Sequence, residues 1–498
     1  MRKQTKLVAV LSAAALLAIG ASMTSFAAQG WQEENGTWVY YDKDGYQVTD
    51  QWQKSGNNWF YLNGDGEMAT DDLIDDGNNY YYVDSNGVMV ANSWVAVENE
   101  NAGEEDEPDA YWYYFQANGK AYKSTGAASW KTINGKQYAF DSEGKMLYGW
   151  VSKADATRIT GDLAWQTGDY FCGDENDGAR ASGWAKIAVV DDDGEDQNYW
   201  FYFNPSNGTK TVDNNKKSIN GKKYSFNEYG VMNSEWTYVD ASAATAAVSA
   251  YSYYNGEDEG WRLQKGWVKA VPAEDVDPEG NDNEDTHWYY ADGSGNVYNS
   301  AIKTINSKKY AFNQKGEMLS GLWALNMSGN DIVVKKDGTI DGLKIDDADK
   351  IEDVKDAKYD AYTIYYFGGG EDGAAKTGNQ NVDIDGESYA YTFGTTGTAK
   401  YKGEQTNSVT TKTKAIYIRG QKVKADKDYR YEATNLSGEK STGAAALNKY
   451  LVNTSGSIMK NKKSGVKDSD DFTYITNTLG QVTAVKDADG KVIAGSVN

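Results

Sequence analysis

The side chains in this sequence best suited to hold another molecule are aromatic rings. Sixteen tryptophans and 38 tyrosines are spread over 498 residues. The first of them recur in step, with Trp31 and Trp38 followed 21 positions later by Trp52 and Trp59. An indole or phenol face is electron-rich and attracts a cation, and it needs no proton transfer to do so. The groups required for proton or nucleophile chemistry are scarce. His287 is the single histidine, which removes two-histidine zinc motifs and leaves little basis for a Ser-His-Asp or Cys-His arrangement. Cys172, the single cysteine, lies in a different repeat and reads as a small buried hydrophobe. Carboxylates are plentiful, but runs such as Asp191–Asp196 lack the ligand spacing of a calcium loop and read as solvated inserts. No cofactor is expected. A net charge of −23 argues against a nucleic-acid partner and favours cationic ligands.

The elements that must carry these rings are short strands. Trp38-Val39-Tyr40-Tyr41 is a β-branched and aromatic run, Asp42-Lys43-Asp44-Gly45 a turn, and Tyr46-Gln47-Val48 a return strand, which together predict a β-hairpin. The pattern recurs about every 20 residues from Gly30 to Trp94, the mark of an array in which each unit covers the next. A compact variant begins at Lys131, Lys217 and Lys303, 86 positions apart each time, which points to duplication of a multi-hairpin block. Acidic inserts (Asp191–Asp196, Glu257–Glu259, Glu274–Asp285) are expected to project from the array. No tryptophan follows Trp323, and the copies around Tyr417, Tyr431, Tyr450 and Tyr474 are weaker.

The expected class is therefore all-β, a solenoid of consecutive β-hairpin repeats after a cleaved signal peptide. Residues 1–27 carry a basic start, an apolar stretch and a small-residue cleavage site, the features of a secretory leader. Residues 28–400 form the array, and residues 401–498 are degenerate hairpin repeats or a capping region. No later segment is apolar enough to span a bilayer.

The motif Trp52…Trp59-Phe60-Tyr61-Leu62, Asn63-Gly64-Asp65-Gly66, Met68 resembles the choline-binding, cell-wall-binding repeats of Gram-positive secreted proteins. The compact units are similar to glucan-binding and clostridial-toxin repeats. The resemblance covers residues 30 to about 400. It implies a non-catalytic surface protein that is secreted and held at the cell wall, where it docks on the choline of teichoic acid through cages between hairpins. A wall glycan or neutral glucan is the alternative ligand, and a structural adhesin the alternative role.

Carried over residue by residue, the resemblance implies two complete cages, Trp31 and Trp38 closed by Tyr61, and Trp52 and Trp59 closed by Tyr82. The expected geometry is two parallel indole faces with a phenol on the third side. Three further pairs, Trp94 with Trp112, Trp184 with Trp200 and Trp267 with Trp288, face Ala139, Ser225 and Ala311 and lack a third wall. The third unit opens with Ile74 instead of Trp. Ring packing between hairpins alone would also explain the period, and Met68, Met89, Met146, Met232 and Met318, which recur after the turn, are expected to fill the core.

Overall fold

A computed structural model describes residues 29–104, 106–395 and 400–497. The expected signal peptide, residues 1–27, lies outside the described residues. The pairing between the described strands is antiparallel throughout. Gly30–Glu34 pairs with Thr37–Tyr41, Gln51–Ser55 with Asn58–Leu62, and Asp72–Asp75 with Tyr80–Val83. The turn that closes the main ladder is not the expected Asp42–Gly45. It is Asn35-Gly36, both at positive φ (54° and 84°), and the same geometry returns at Asn134-Gly135 and Asn220-Gly221. Two consecutive left-handed residues match the twist of a two-residue hairpin, and Asn and Gly tolerate them best. The Asp42 turn comes second in the chain and yields a single bridge, Tyr41 to Gln47. There the Asp42 carboxylate accepts the N–H groups of Asp44 (2.8 Å) and Tyr46 (2.9 Å).

Strand alternation decides how hairpins stack. Trp31 lies opposite Tyr40 and Glu33 opposite Trp38, so these four share one face, and Gln32 and Val39 share the other. The next hairpin turns its back to that face. Phe60, only 2% exposed, meets Trp31 at a centroid distance of 5.3 Å, while its neighbours Trp59 and Tyr61 face onward. A backbone staple fixes the step. Two residues past a turn glycine, an N–H donates to a carbonyl of the preceding hairpin's second strand, as from Met68 to Trp38 (2.7 Å) and from Met89 to Trp59 (2.9 Å). The stapling side chain then rests on the turn glycine of the following unit. A Cβ at Gly87 (φ 74°) would come 2.9 Å from the Met68 sulfur, so both the backbone conformation and the close approach demand glycine there.

The chain divides into two compact units between Asn233 and Ser234. The first is built of two-stranded ladders with one three-stranded sheet, Arg158–Ile159, Gly149–Val151 and Tyr170–Cys172. Cys172 ends a strand there, fully buried, with its thiol pushed up to about 12 by burial. The second begins with two-stranded ladders. It continues into wider sheets that include Gly378–Ile384 with Glu387–Phe393, Tyr431–Thr434 with Tyr450–Asn453, and Thr473–Thr476 with Val482–Lys486. Strand pairing thus persists through the aromatic-poor tail. Single helical turns interrupt the inserts at Ala164–Thr167, Pro278–Asp282 and Ala348–Asp353. Among the described residues no helix is long and apolar enough to cross a membrane.

Candidate functional site

In five hairpins the opening ring and the first ring of the second strand share one face, the next hairpin supplies a third ring, and a methionine is stapled to the first ring of the second strand; Met146 and Met318 pack among the rings of their sets. The first such set is Trp31, Trp38, Phe60 and Met68. The second is Trp52, Trp59, Tyr81 and Met89, with Trp52 and Tyr81 5.2 Å apart.

These contacts correct the expected closing residues. Tyr61 is the cross-strand partner of Trp52 (5.2 Å) and belongs to its own hairpin's face, so Phe60 closes on Trp31. Tyr82 pairs with Leu73, and its hydroxyl donates to Asp71 at 2.9 Å, so Tyr81 closes on Trp52. The reason is the alternation described above, since the ring that reaches back is one position earlier than the ring that faces forward. Leu73, in register with Trp52, is the opening residue of the third unit, while Ile74 points into the core.

The same correction completes the three sets expected to lack a wall. Trp94 meets Tyr138 at 4.9 Å, Trp184 meets Tyr224 at 4.8 Å, and Trp267 meets Tyr310 at 4.8 Å. Ala139 and Ala311 are fully buried on the other face, as is Ser225 to within 1%. Burial raises the phenol pKa of Tyr138, Tyr224 and Tyr310, so these walls stay neutral. Met146, Met232 and Met318 staple to Trp112, Trp200 and Trp288 (2.7, 2.8 and 2.8 Å). Met146 and Met232 are buried, as expected of core residues, while Met68, Met89 and Met318 remain partly exposed.

Five sets of two tryptophans, a third ring and a methionine therefore stand among the described residues. Their indoles are half-buried, except that Trp59 is 40% exposed. The rings are not parallel. Trp184 and Trp200 meet at 89° with 6.1 Å between centroids, and Trp267 and Trp288 at 88° and 6.3 Å. A corner of edge-on indoles presents two ring faces to one point, as a compact cation requires. The indole nitrogens of Trp31 and Trp52 are buried without an acceptor. An unmet donor typically costs about 1–3 kcal/mol, so the ring placement is held against a local penalty. Trp288 differs, since its indole N–H donates to Glu371 (3.3 Å), which also pairs with Lys269.

Residues 50–94, which hold the Trp52, Trp59, Tyr81 and Met89 set, match the family model of the choline-binding repeat. That stretch of the chain is a choline-binding repeat. Over 210 residues it is 26% identical to Glucosyltransferase-S of Streptococcus mutans serotype c, covering 42% of this chain and 11% of that protein. The chain thus spans about a tenth of that curated relative. Among solved structures, the choline-binding domain of CbpL from Streptococcus pneumoniae is 23% identical (47% of this chain, 98% of that one, TM-score 0.30). Choline binding protein F of the same organism, solved with a peptidoglycan analogue, is 18% identical (77% and 100%, TM-score 0.32). The pneumococcal autolysin LytC, solved with a synthetic peptidoglycan ligand, is 20% identical (60% and 55%, TM-score 0.33). In this chain the choline-binding repeat is read best from three positions, the opening tryptophan, the middle residue of the next aromatic run, and the residue two past the turn glycine.

Proposed function

We propose that the protein is a secreted, non-catalytic cell-wall-binding protein whose five tryptophan-methionine sets take up the quaternary ammonium of choline-bearing wall polymers. The observation that carries this reading is the fivefold return of one arrangement, two tryptophans on one hairpin face, a third ring from the next hairpin and a stapled methionine, with the two indoles edge-on in the Trp184 and Trp267 sets. Ring quadrupoles attract the cation and its methyl groups leave water. A contact of this kind contributes roughly 0.5–2 kcal/mol, so many weak sites on one polymer gain by avidity. The binding needs no general acid or base, in keeping with a single histidine in 498 residues.

Free choline titrated against intrinsic tryptophan fluorescence tests the reading. The expected result is a saturable change, reduced in Trp52→Ala, with no response to trimethylated neutral analogues. A response to glucan or peptidoglycan fragments alone would reject it in favour of neutral-sugar stacking. Trp59 favours that second reading locally, because its face is the most exposed of the described indoles.

A further inference from the structure

The staple position does not always hold methionine. Two residues past Gly178 stands Arg180, and two past Gly208 stands Lys210. Both make the same backbone staple, Arg180 to the carbonyl of Gln137 (2.9 Å) and Lys210 to that of Asp169 (2.7 Å). Both lie against the next turn glycine, Arg180 on Gly208 and Lys210 on Gly230, as Met146 lies on Gly178. They are thus in the methionine's place. The residue they staple to has changed with them. Where the staple is methionine in the five sets, the acceptor is Trp38, Trp59, Trp112, Trp200 or Trp288. For Arg180 and Lys210 the acceptors are Gln137 and Asp169.

The cations reach into the ring sets. The guanidinium carbon of Arg180 lies 4.9 Å from the ring centre of Trp130, whose third ring is Tyr170 at 4.8 Å. The Lys210 ammonium lies 5.1 Å from Trp150 and 5.9 Å from Phe201, and donates to the carbonyls of Trp165 (2.5 Å) and Gln166 (3.3 Å). Lys210 is only 9% exposed. A charge so far from water is tolerated only when rings, carbonyls or a counter-charge replace its hydration. Asp169 supplies negative charge near it and is itself held by the Lys153 N–H (2.8 Å).

We infer that Arg180 and Lys210 are built-in occupants, each placing the chain's own cation where an external ammonium would sit and closing the Trp130 and Trp150 sets to ligand. This rests on reading the aromatic sets as ammonium sites. A tethered cation has a high effective concentration and displaces a dilute free one. In these seven sets one side chain two residues past a glycine then separates ligand-taking from self-filled members.

Chemical rescue of the full chain tests this. Lys210→Ala removes the amine and its stem, so its Tm is expected to fall by several degrees. Addition of n-propylammonium is expected to restore at least half of that loss, and n-propanol not to. Equal recovery with both compounds, or none in a folded variant, overturns the inference. Should the alanine variant fail to fold, Lys210→Met, which is close to lysine in volume, combined with Asp169→Trp rebuilds the ligand-taking pattern. Equilibrium dialysis of labelled tetramethylammonium should then find one site more than in wild type, and an unchanged number overturns the inference. The rescue uses no wall ligand. Wild-type indifference to choline together with ammonium-selective rescue would therefore remove the proposed function alone.

Discussion

The strand Asp196–Phe203 serves two ring sets that behave in opposite ways. On one face Phe201 meets Trp150 at 5.2 Å beside the Lys210 amine, in a set that is buried throughout. On the other face Trp200 stands edge-on to Trp184, with Met232 stapled behind it and both indoles half-exposed. The backbone framework is the same, and so is the staple. What differs is whether the stapling side chain is a neutral thioether or a cation, and whether the acceptor residue is tryptophan or Asp169. A single strand thus separates a ring that holds the fold from a ring of a proposed ligand set, because consecutive residues point to opposite faces.

The largest expected effect comes from breaking the buried side. Phe201→Ala removes a fully buried ring that touches Trp150, Trp165 and Phe203, and losses of this kind typically cost about 3–5 kcal/mol. Trp200→Ala, on the exposed side of the same strand, should cost clearly less. Urea denaturation of the two variants measures the gap. Equal losses would mean that the two faces are not energetically distinct.

The exchange of wall chemistry comes next. Met232→Lys places a cation in the Trp184 set and is expected to remove one choline site while the others persist. Binding stoichiometry by equilibrium dialysis reads this directly. An unchanged number would show that the staple side chain does not gate the set.

Titration sharpens the contrast further. Burial lowers the Lys210 amine from its usual range to about 8, against the opposing pull of Asp169. Between pH 8 and 10.5 the folded chain has released a proton that the unfolded chain still holds, so stability should rise with pH across that window. The lowered value corresponds to at most about 3 kcal/mol. In Lys210→Met the gain should vanish, which thermal melts of both proteins at pH 7, 8.5 and 10 would show. A wild-type curve that stays flat against the variant would place the ammonium in a fully compensated site.

Much of this architecture was legible before any coordinates. The 21-residue step of Trp31 and Trp52 and the 86-residue spacing of Lys131, Lys217 and Lys303 announce stacked hairpins, because few other folds repeat so short a unit. The opening tryptophans were legible as the rings on which the next hairpin stacks. The closing ring was not, since Tyr61 and Phe60 are equally aromatic and only the face-to-back stacking chooses between them. A signal was present in the compact units. Tyr138, Tyr224 and Tyr310 keep the middle position while the third falls to Ala139, Ser225 and Ala311, and a period-two reading of those strands turns the tyrosines toward the preceding set. The cations at 180 and 210 were hidden for another reason. The inserted residues between Trp150 and Tyr170 displace the ring pattern, so the staple position emerges only when counted from the turn glycine.

The smallest expected effect concerns the rim of a ligand-taking set. Lys54 lies directly opposite Trp59, with its ammonium 5.8 Å from the ring centre. The corresponding position is Glu33 opposite Trp38 in the first hairpin and Ala96 opposite Trp112 in the fourth. A bound quaternary ammonium over Trp59 would feel Lys54 as a like charge some 6 Å away in water-like surroundings, where the repulsion is roughly 0.7 kcal/mol. Lys54→Ala should therefore tighten choline at the Trp52–Trp59 set about two- to threefold at low ionic strength. The gain should fade as salt screens the pair. Titrations at 20 and 300 mM salt would show it. A variant that binds more weakly at both would mean that the lysine stem, not its charge, matters at this rim. The Glu33 and Ala96 sets would then lose their expected advantage over the Lys54 set.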